Sequence, residues 1–302
     1  MAMALDRGEG LARRDFDELL AEAEVAPIRG WDFSWLEGRA TEERPEWSYS
    51  RLAAERVGRG ARAVLDIQTG GGEVFEEILA RAGSSPERLA VTESWPPNVA
   101  QAAARLERLG IVVSEAPDGG SLPYDDGTFD LVLSRHPNRW SWPEIARVLR
   151  PGGTYLAQHV GPGSNHELTE FFLGPTDIGD ARRPERASAE ATAAGLRIED
   201  LRAQSLRVEF FDIGAVVYFL RMVIWTVPGF SAEQYRPRLR ELHEQIDAQG
   251  PFVSHAQRSD RGGPAGSRGV TDSLGQTRAR QDPWLRSYRV SHLACAGSAE
   301  CN

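Results

Sequence analysis

From residue 62 to residue 160 short apolar runs alternate with helical stretches, each bounded by glycine, proline or a polar turn. No other feature of the chain restricts its fold as much. Strands are expected at 63–67, 89–92, 111–113, 129–133 and 154–160. Helices are expected at 74–82, 98–109 and 142–149, the last stopped by Pro151-Gly152-Gly153. A helix at 187–195 and a sixth strand at 206–211 continue the series. Short strands alternating with helices imply an α/β fold: a doubly wound, mostly parallel, Rossmann-like sheet with helices on both faces.

The flanking segments read differently. Residues 1–58 form an N-terminal helical, tryptophan-rich segment, with a helix at 15–24 and then Trp31, Trp35 and Trp47 within seventeen positions. Such aromatic density fits burial against a core or a lid over a ligand, and the two are compatible. Residues 59–258 read as the main domain, interrupted by an apolar and then amphipathic helix pair over 213–250. Ser231 with Gln234 three positions on has the spacing of a capping box for its second helix. A last apolar strand begins at 251–256 and gives out. Residues 259–302, rich in Gly, Ser and Arg, read as a disordered tail, for which a frame-shifted C-terminus is one explanation.

Composition removes several functions. All 35 basic residues are arginine, so chemistry that needs a lysine amine or a phosphate-loop lysine is excluded. A net charge of −9 disfavours a nucleic-acid partner. The two cysteines, Cys295 and Cys301, leave the body of the chain without a disulfide framework or zinc site, and a cytoplasmic location is the default expectation. The N-terminus lacks the apolar region of a secretory leader, and no apolar run reaches membrane-spanning length. His166-Glu167 opens like a zinc-protease motif but ends on Glu170, so a helix surface and no metal are expected.

In an open parallel sheet, ligands gather at the carboxyl ends of strands. There, Asp66 is followed by Gly70, Gly71 and Gly72, and Glu93 closes the second strand, placed to accept both hydroxyls of a ribose. A dinucleotide fingerprint fails, because Phe75 stands where its third glycine belongs. The chain instead resembles the class I S-adenosylmethionine-dependent methyltransferases. Asp66, Gly70 and Gly72 match their D-x-G-x-G-x-G motif, with Gln68 in place of the first glycine. LPYDDGTFD at 122–130 and EIARVLRPGG at 144–153 match two further segments of the family in order, so the resemblance covers about residues 62–160.

The resemblance implies S-adenosylmethionine as cofactor. Asp66 would lie near its amino-acid end, Glu93 at the ribose, Asp118 at the adenine amino group and Trp95 on the adenine face. Gln68, Thr69, Gly70, Gly72, Ser94, Gly119 and Ser134 complete the expected cofactor set. A Gln68 amide reaches the methionine end provided its φ is negative. Methyl transfer is an in-line displacement that asks for alignment and, for a hydroxyl acceptor, a base. His136 and His159, after the fourth and fifth strands, are the candidates, against the simpler reading of loop and packing histidines. Tyr218, Phe219, Trp225 and Phe230 in the helical insertion would cap an apolar pocket, which favours a small, partly hydrophobic substrate. Those helices equally suit a homodimer interface. Methylation of RNA or protein, cofactor binding without turnover, and a nicotinamide oxidoreductase remain as alternatives.

Overall fold

The computed structural model describes residues 14–179, 182–261 and 290–292. In chain order they form α1 (Phe16–Val25), β1 (Ala40–Glu42), α2 (Tyr49–Gly58), β2 (Ala63–Ile67), α3 (Glu73–Ala82), β3 (Arg88–Glu93), α4 (Pro96–Leu106), β4 (Val113–Glu115) and β5 (Phe129–Arg135). There follow α5 (Trp142–Val148), β6 (Leu149–Val160), α6 (His166–Leu173), α7 (Pro184–Ala193), β7 (Leu196–Ile198), β8 (Arg202–Phe210), α8 (Ile213–Met222), α9 (Arg236–Gln249), β9 (Phe252–Arg261) and β10 (Val290–His292). None of the described helices is long and apolar enough to cross a membrane. The described residues divide into two compact units: residues 14–43 with 165–177 and 207–255, and residues 44–164 with 178–179, 182–206, 256–261 and 290–292.

Within the second unit the sheet runs in the order β9-β6-β5-β2-β3-β4. β2, β3, β4, β5 and β6 pair in parallel, and β9 closes antiparallel on β6. β10 pairs antiparallel with both β6 and β7. Successive residues of the central strands are buried on opposite faces, as a doubly covered parallel sheet requires. Val64, Leu131, Leu133 and Leu156 pack with Leu52 and Val57 of α2, Phe75 and Ile78 of α3 and Leu106 of α4. Leu65, Val132 and Tyr155 pack with Trp142 and Ile145 of α5 and Ala187 and Ala191 of α7. Each large side chain so enclosed contributes about 1.5–3 kcal/mol of transfer free energy, which holds the strand ends, and whatever they carry, on a rigid base.

The structure corrects several expected boundaries. The strand expected at 111–113 is β4, at Val113–Glu115. Gly110 turns the chain with φ 68°, and Ile111, 4% exposed, plugs the core before the ladder begins with Val113 beside Val91. β6 starts five residues before the expected 154, because Leu149 already pairs with Phe129. Pro151-Gly152-Gly153 then falls where the register shifts. The last strand does not give out after residue 256 but runs to Arg261. Phe252, Ser254 and Ala256 are buried in alternation, and the ladder to β6 supports residues 258–261 whatever their polarity. Of the tail expected beyond 258, residues 259–261 and 290–292 are strand, and the rest lies outside the described residues.

The first unit is held by aromatics and arginines around α8, whose residues are buried nearly all round. The Tyr218 hydroxyl donates to the carbonyls of Pro27 (3.3 Å) and Asp32 (3.0 Å), and the Trp35 ring stacks on Tyr218 at 4.7 Å. Arg39 lies 3.9 Å over Trp35 and pairs with Asp212, which caps α8 by accepting from the Ala215 N–H. β1 pairs antiparallel with residues 208–210 of β8. The expected helix pair is α8 and α9. Ser231 accepts from the Gln234 N–H as a capping box would, but it closes a turn, and α9 begins only at Arg236. Of the three N-terminal tryptophans only Trp47 lies in the sheet unit, where it is buried, whereas Trp31 is 43% exposed.

Candidate functional site

β2, β3 and β4 end side by side, and each end brings a carboxylate to the same edge of the sheet unit. Asp66 is 6% exposed. Burial pushes its carboxyl up to about 7, with the nearby Glu93 charge adding to the rise and hydrogen bonding to Thr69 and the Arg135 charge opposing it. The chain then turns through Gln68, Gly70 and Gly72, all with positive φ (55°, 66° and 83°), and Gly72 opens α3. Gly70 has nothing within 4 Å of where a Cβ would stand, so the turn presents bare backbone. The Thr69 hydroxyl is buried in the same turn.

Glu93, 4% exposed, ends β3. Its Oε2 accepts from the Gly70 N–H at 2.8 Å, and its Oε1 accepts from the N–H groups of Ser94 (2.8 Å) and Trp95 (3.0 Å). One buried carboxylate thus ties the glycine turn to the start of α4. A carboxylate offers about four acceptor sites, so three backbone donors leave it able to take a further hydroxyl. Asp118 stands beyond β4 and accepts from the Ser94 hydroxyl at 2.7 Å. Trp95 precedes α4 and is 37% exposed. The Ser134 hydroxyl donates to the Ile67 carbonyl at 2.8 Å and so locks the ends of β5 and β2 together.

Gln68 departs from expectation. Its φ is positive, so the residue takes the backbone form of the glycine it replaces. The condition set for its amide to serve the methionine end is not met. Instead the side chain spans to the loop after β5: its Nε2 donates to the Arg139 carbonyl (2.5 Å) and its Oε1 accepts from the Asn138 N–H (2.7 Å). The Asn138 side-chain amide donates to Asp118 at 3.0 Å. Gln68, Gly119, Ser134, Arg139, Trp140 and Tyr155 are among the residues around a cavity of about 20 Å³, room for about one water. Asn138 and Arg139 carry no recognisable motif. The only signal for them was a long amide standing where a glycine was expected.

The two histidines go to opposite faces of the sheet. His136, φ 56°, donates its N–H to the Gln158 carbonyl at 2.6 Å, and its Nε2 lies 3.1 Å from Gln158 Oε1. Burial, together with the Arg135 and Arg258 charges, holds its pKa well below 6.5, and the bond to Gln158 opposes that only partly. Its ring is therefore neutral at pH 7. His159, next to Gln158 on β6, points to the other face. It is 2% exposed, edge-on to Trp140 at 4.3 Å and 3.3 Å from the Tyr155 hydroxyl. In the first unit, Glu167 accepts from the Ser254 hydroxyl and from the ring and backbone of His255, while His166 pairs with Glu170 on α6.

Residues 65–157 match the family model described as a methyltransferase domain. Among curated relatives, the 27-O-demethylrifamycin SV methyltransferase of Amycolatopsis mediterranei (strain S699) is 32% identical over 159 residues, 50% of this chain. The match spans 54% of that relative, about half its length. The solved structure of BH2331 from Bacillus halodurans C-125 covers 82% of this chain and 99% of its own, with a TM-score of 0.51 at 14% identity. At that identity the likeness speaks for the fold alone.

The site suits S-adenosylmethionine on its own chemistry. A sulfonium compound with an ammonium group calls for acceptors and negative charge, and the acceptor set is Asp66, Glu93 and Asp118 around a turn of bare backbone.

Proposed function

We propose that this protein transfers a methyl group from S-adenosylmethionine to a small, partly hydrophobic molecule by in-line displacement. The observation that carries the reading is the succession of three acids, Asp66, Glu93 and Asp118, at neighbouring strand ends around a glycine turn. When bound, the cofactor supplies an electrophilic methyl on a sulfonium. Asp66 holds the ammonium end, Glu93 accepts a ribose hydroxyl with its remaining acceptor site, and Asp118 accepts from the amino group of the base.

His136 is the group that takes a proton from a hydroxyl acceptor. Gln158 Oε1 is an acceptor, so it fixes the Nε2–H tautomer, and Nδ1 becomes the basic nitrogen. A ring that is neutral at pH 7 enters the reaction ready to accept. The small-molecule reading is supported by the name of the Amycolatopsis relative, whose substrate is 27-O-demethylrifamycin SV.

Calorimetric titration with S-adenosylhomocysteine tests the cofactor, with NADH as control and a folded Glu93→Ala variant beside it. Micromolar binding that is lost in the variant and absent for NADH is expected. A folded wild-type protein that ignores S-adenosylhomocysteine would overturn the proposal.

A further inference from the structure

The loop 136–140 is fastened to the proposed cofactor site by more bonds than a connecting loop requires. Gln68 clasps it from one side, with Oε1 on the Asn138 N–H (2.7 Å) and Nε2 on the Arg139 carbonyl (2.5 Å). From the other side, the carboxamide of Asn138 donates to Asp118 Oδ2 at 3.0 Å. Arg182 donates to the Asn138 carbonyl at 3.3 Å, and His136 anchors the start of the loop on Gln158. The loop also lies hard against the site. A Cβ at Gly119 would stand 3.2 Å from Arg139 Cβ and 3.4 Å from the Trp140 nitrogen. The cavity beside Gly119 is about 20 Å³, room for about one water.

The chemistry of the Asn138 contact is specific. A primary carboxamide presents an NH₂ donor to the Asp118 carboxylate, the same donor type that the amino group of an adenine presents. Gln68 completes the arrangement at a cost. A glutamine at φ 55° accepts backbone strain that a glycine would not. Its amide returns two hydrogen bonds to the loop.

We propose that Gln68 is a positioning residue. It latches the loop 136–140 across the nucleoside end of the site, where Asn138 stands on Asp118 in place of the adenine amino group, so that the cofactor enters only as the latch opens. The inference rests on the S-adenosylmethionine reading given above. The latch competes with the nucleoside for Asp118. Breaking it raises affinity, whereas breaking a merely structural contact would lower it.

The test uses Gln68→Gly, which suits the positive φ and removes both clasp bonds, and Asn138→Ala, which removes the stand-in. Each is titrated with S-adenosylhomocysteine, and hydrogen exchange is followed over residues 136–140. Gln68→Gly is expected to bind about five- to tenfold tighter, the worth of about one hydrogen bond, with a faster association rate and faster exchange at the Asn138 amide. Asn138→Ala is expected to bind tighter to a similar degree. Unchanged or weaker binding in both variants, with the wild type binding normally, overturns the latch. No binding by the wild type or either variant overturns the cofactor reading itself, and exchange at the Asn138 amide still reports whether Gln68 clasps the loop.

Discussion

Asp66 shows how much one buried side chain can set. An ordinary aspartate ionises near 3.8, but burial holds the Asp66 proton to about 7. Between those values the folded protein keeps a proton that the unfolded chain has released. The stability Asp66 contributes is therefore complete below about 3.8 and is lost as pH rises through 7. At about 1.4 kcal/mol per pH unit, the loss approaches roughly 4 kcal/mol as a ceiling. Asp66→Asn, which cannot ionise, is expected to match the wild type in urea unfolding at pH 4 and to exceed it by a few kcal/mol at pH 8. Equal wild-type and variant stabilities at pH 8 would show that Asp66 ionises as an exposed carboxylate does. The same proton matters for the ligand. An ammonium held at Asp66 favours the ionised form, so at pH 7 binding should release protons, visible as a dependence of the calorimetric heat on buffer ionisation enthalpy.

At the scale of elements, α2 and α3 meet backbone to backbone. Gly58, the last residue of α2, leaves no room for a methyl group, since a Cβ there would stand 2.9 Å from the Ala82 carbonyl oxygen of α3. Helix propensity alone favours alanine over glycine by about 1 kcal/mol. Here the contact with fixed backbone outweighs it, and Gly58→Ala is expected to lower stability by about 1–3 kcal/mol, in the range of other overpacking changes. A rise in melting temperature would refute this account of the packing. The close approach was invisible in the sequence, because Gly58 sits in a plain helical pattern.

Most of the sheet, by contrast, was legible. Apolar runs such as residues 63–67 need no partner to be recognised, since parallel strands are buried on both faces. β1, β7 and the outer half of β9 were not legible. They are short or polar and owe their form to ladders with β8, β10 and β6. The site divides along the same line. The acids and glycines of the first turn could be read from spacing, as Asp66, Gly70 and Glu93 show. The clasp from Gln68 to Asn138 joins residues seventy positions apart and follows from tertiary placement alone.

For the whole molecule, charge decides between kinds of acceptor. The net charge is −9, with arginine supplying every cation besides histidine. Among the described residues, many arginines are matched to surface carboxylates: Arg62 to Glu87, Arg81 to Glu77, Arg105 to Glu73 and Glu76, Arg186 to Glu190, Arg238 to Glu241. Each such exposed pair contributes little to stability, about 0–1 kcal/mol. Their consequence is electrostatic, because a paired guanidinium cannot release counterions from a phosphate backbone without first giving up its carboxylate. Non-specific RNA binding rests on that release and weakens steeply with salt. The protein is therefore expected to retain no RNA in filter binding at 150 mM salt up to about 100 μM, the weak end of ordinary non-specific affinity, with or without S-adenosylhomocysteine. Retention that fell off log-linearly with salt would mean that unpaired arginines form a track, and the acceptor would have to be sought among polynucleotides. Its absence, together with cofactor binding, would remove polynucleotides from the search for the acceptor.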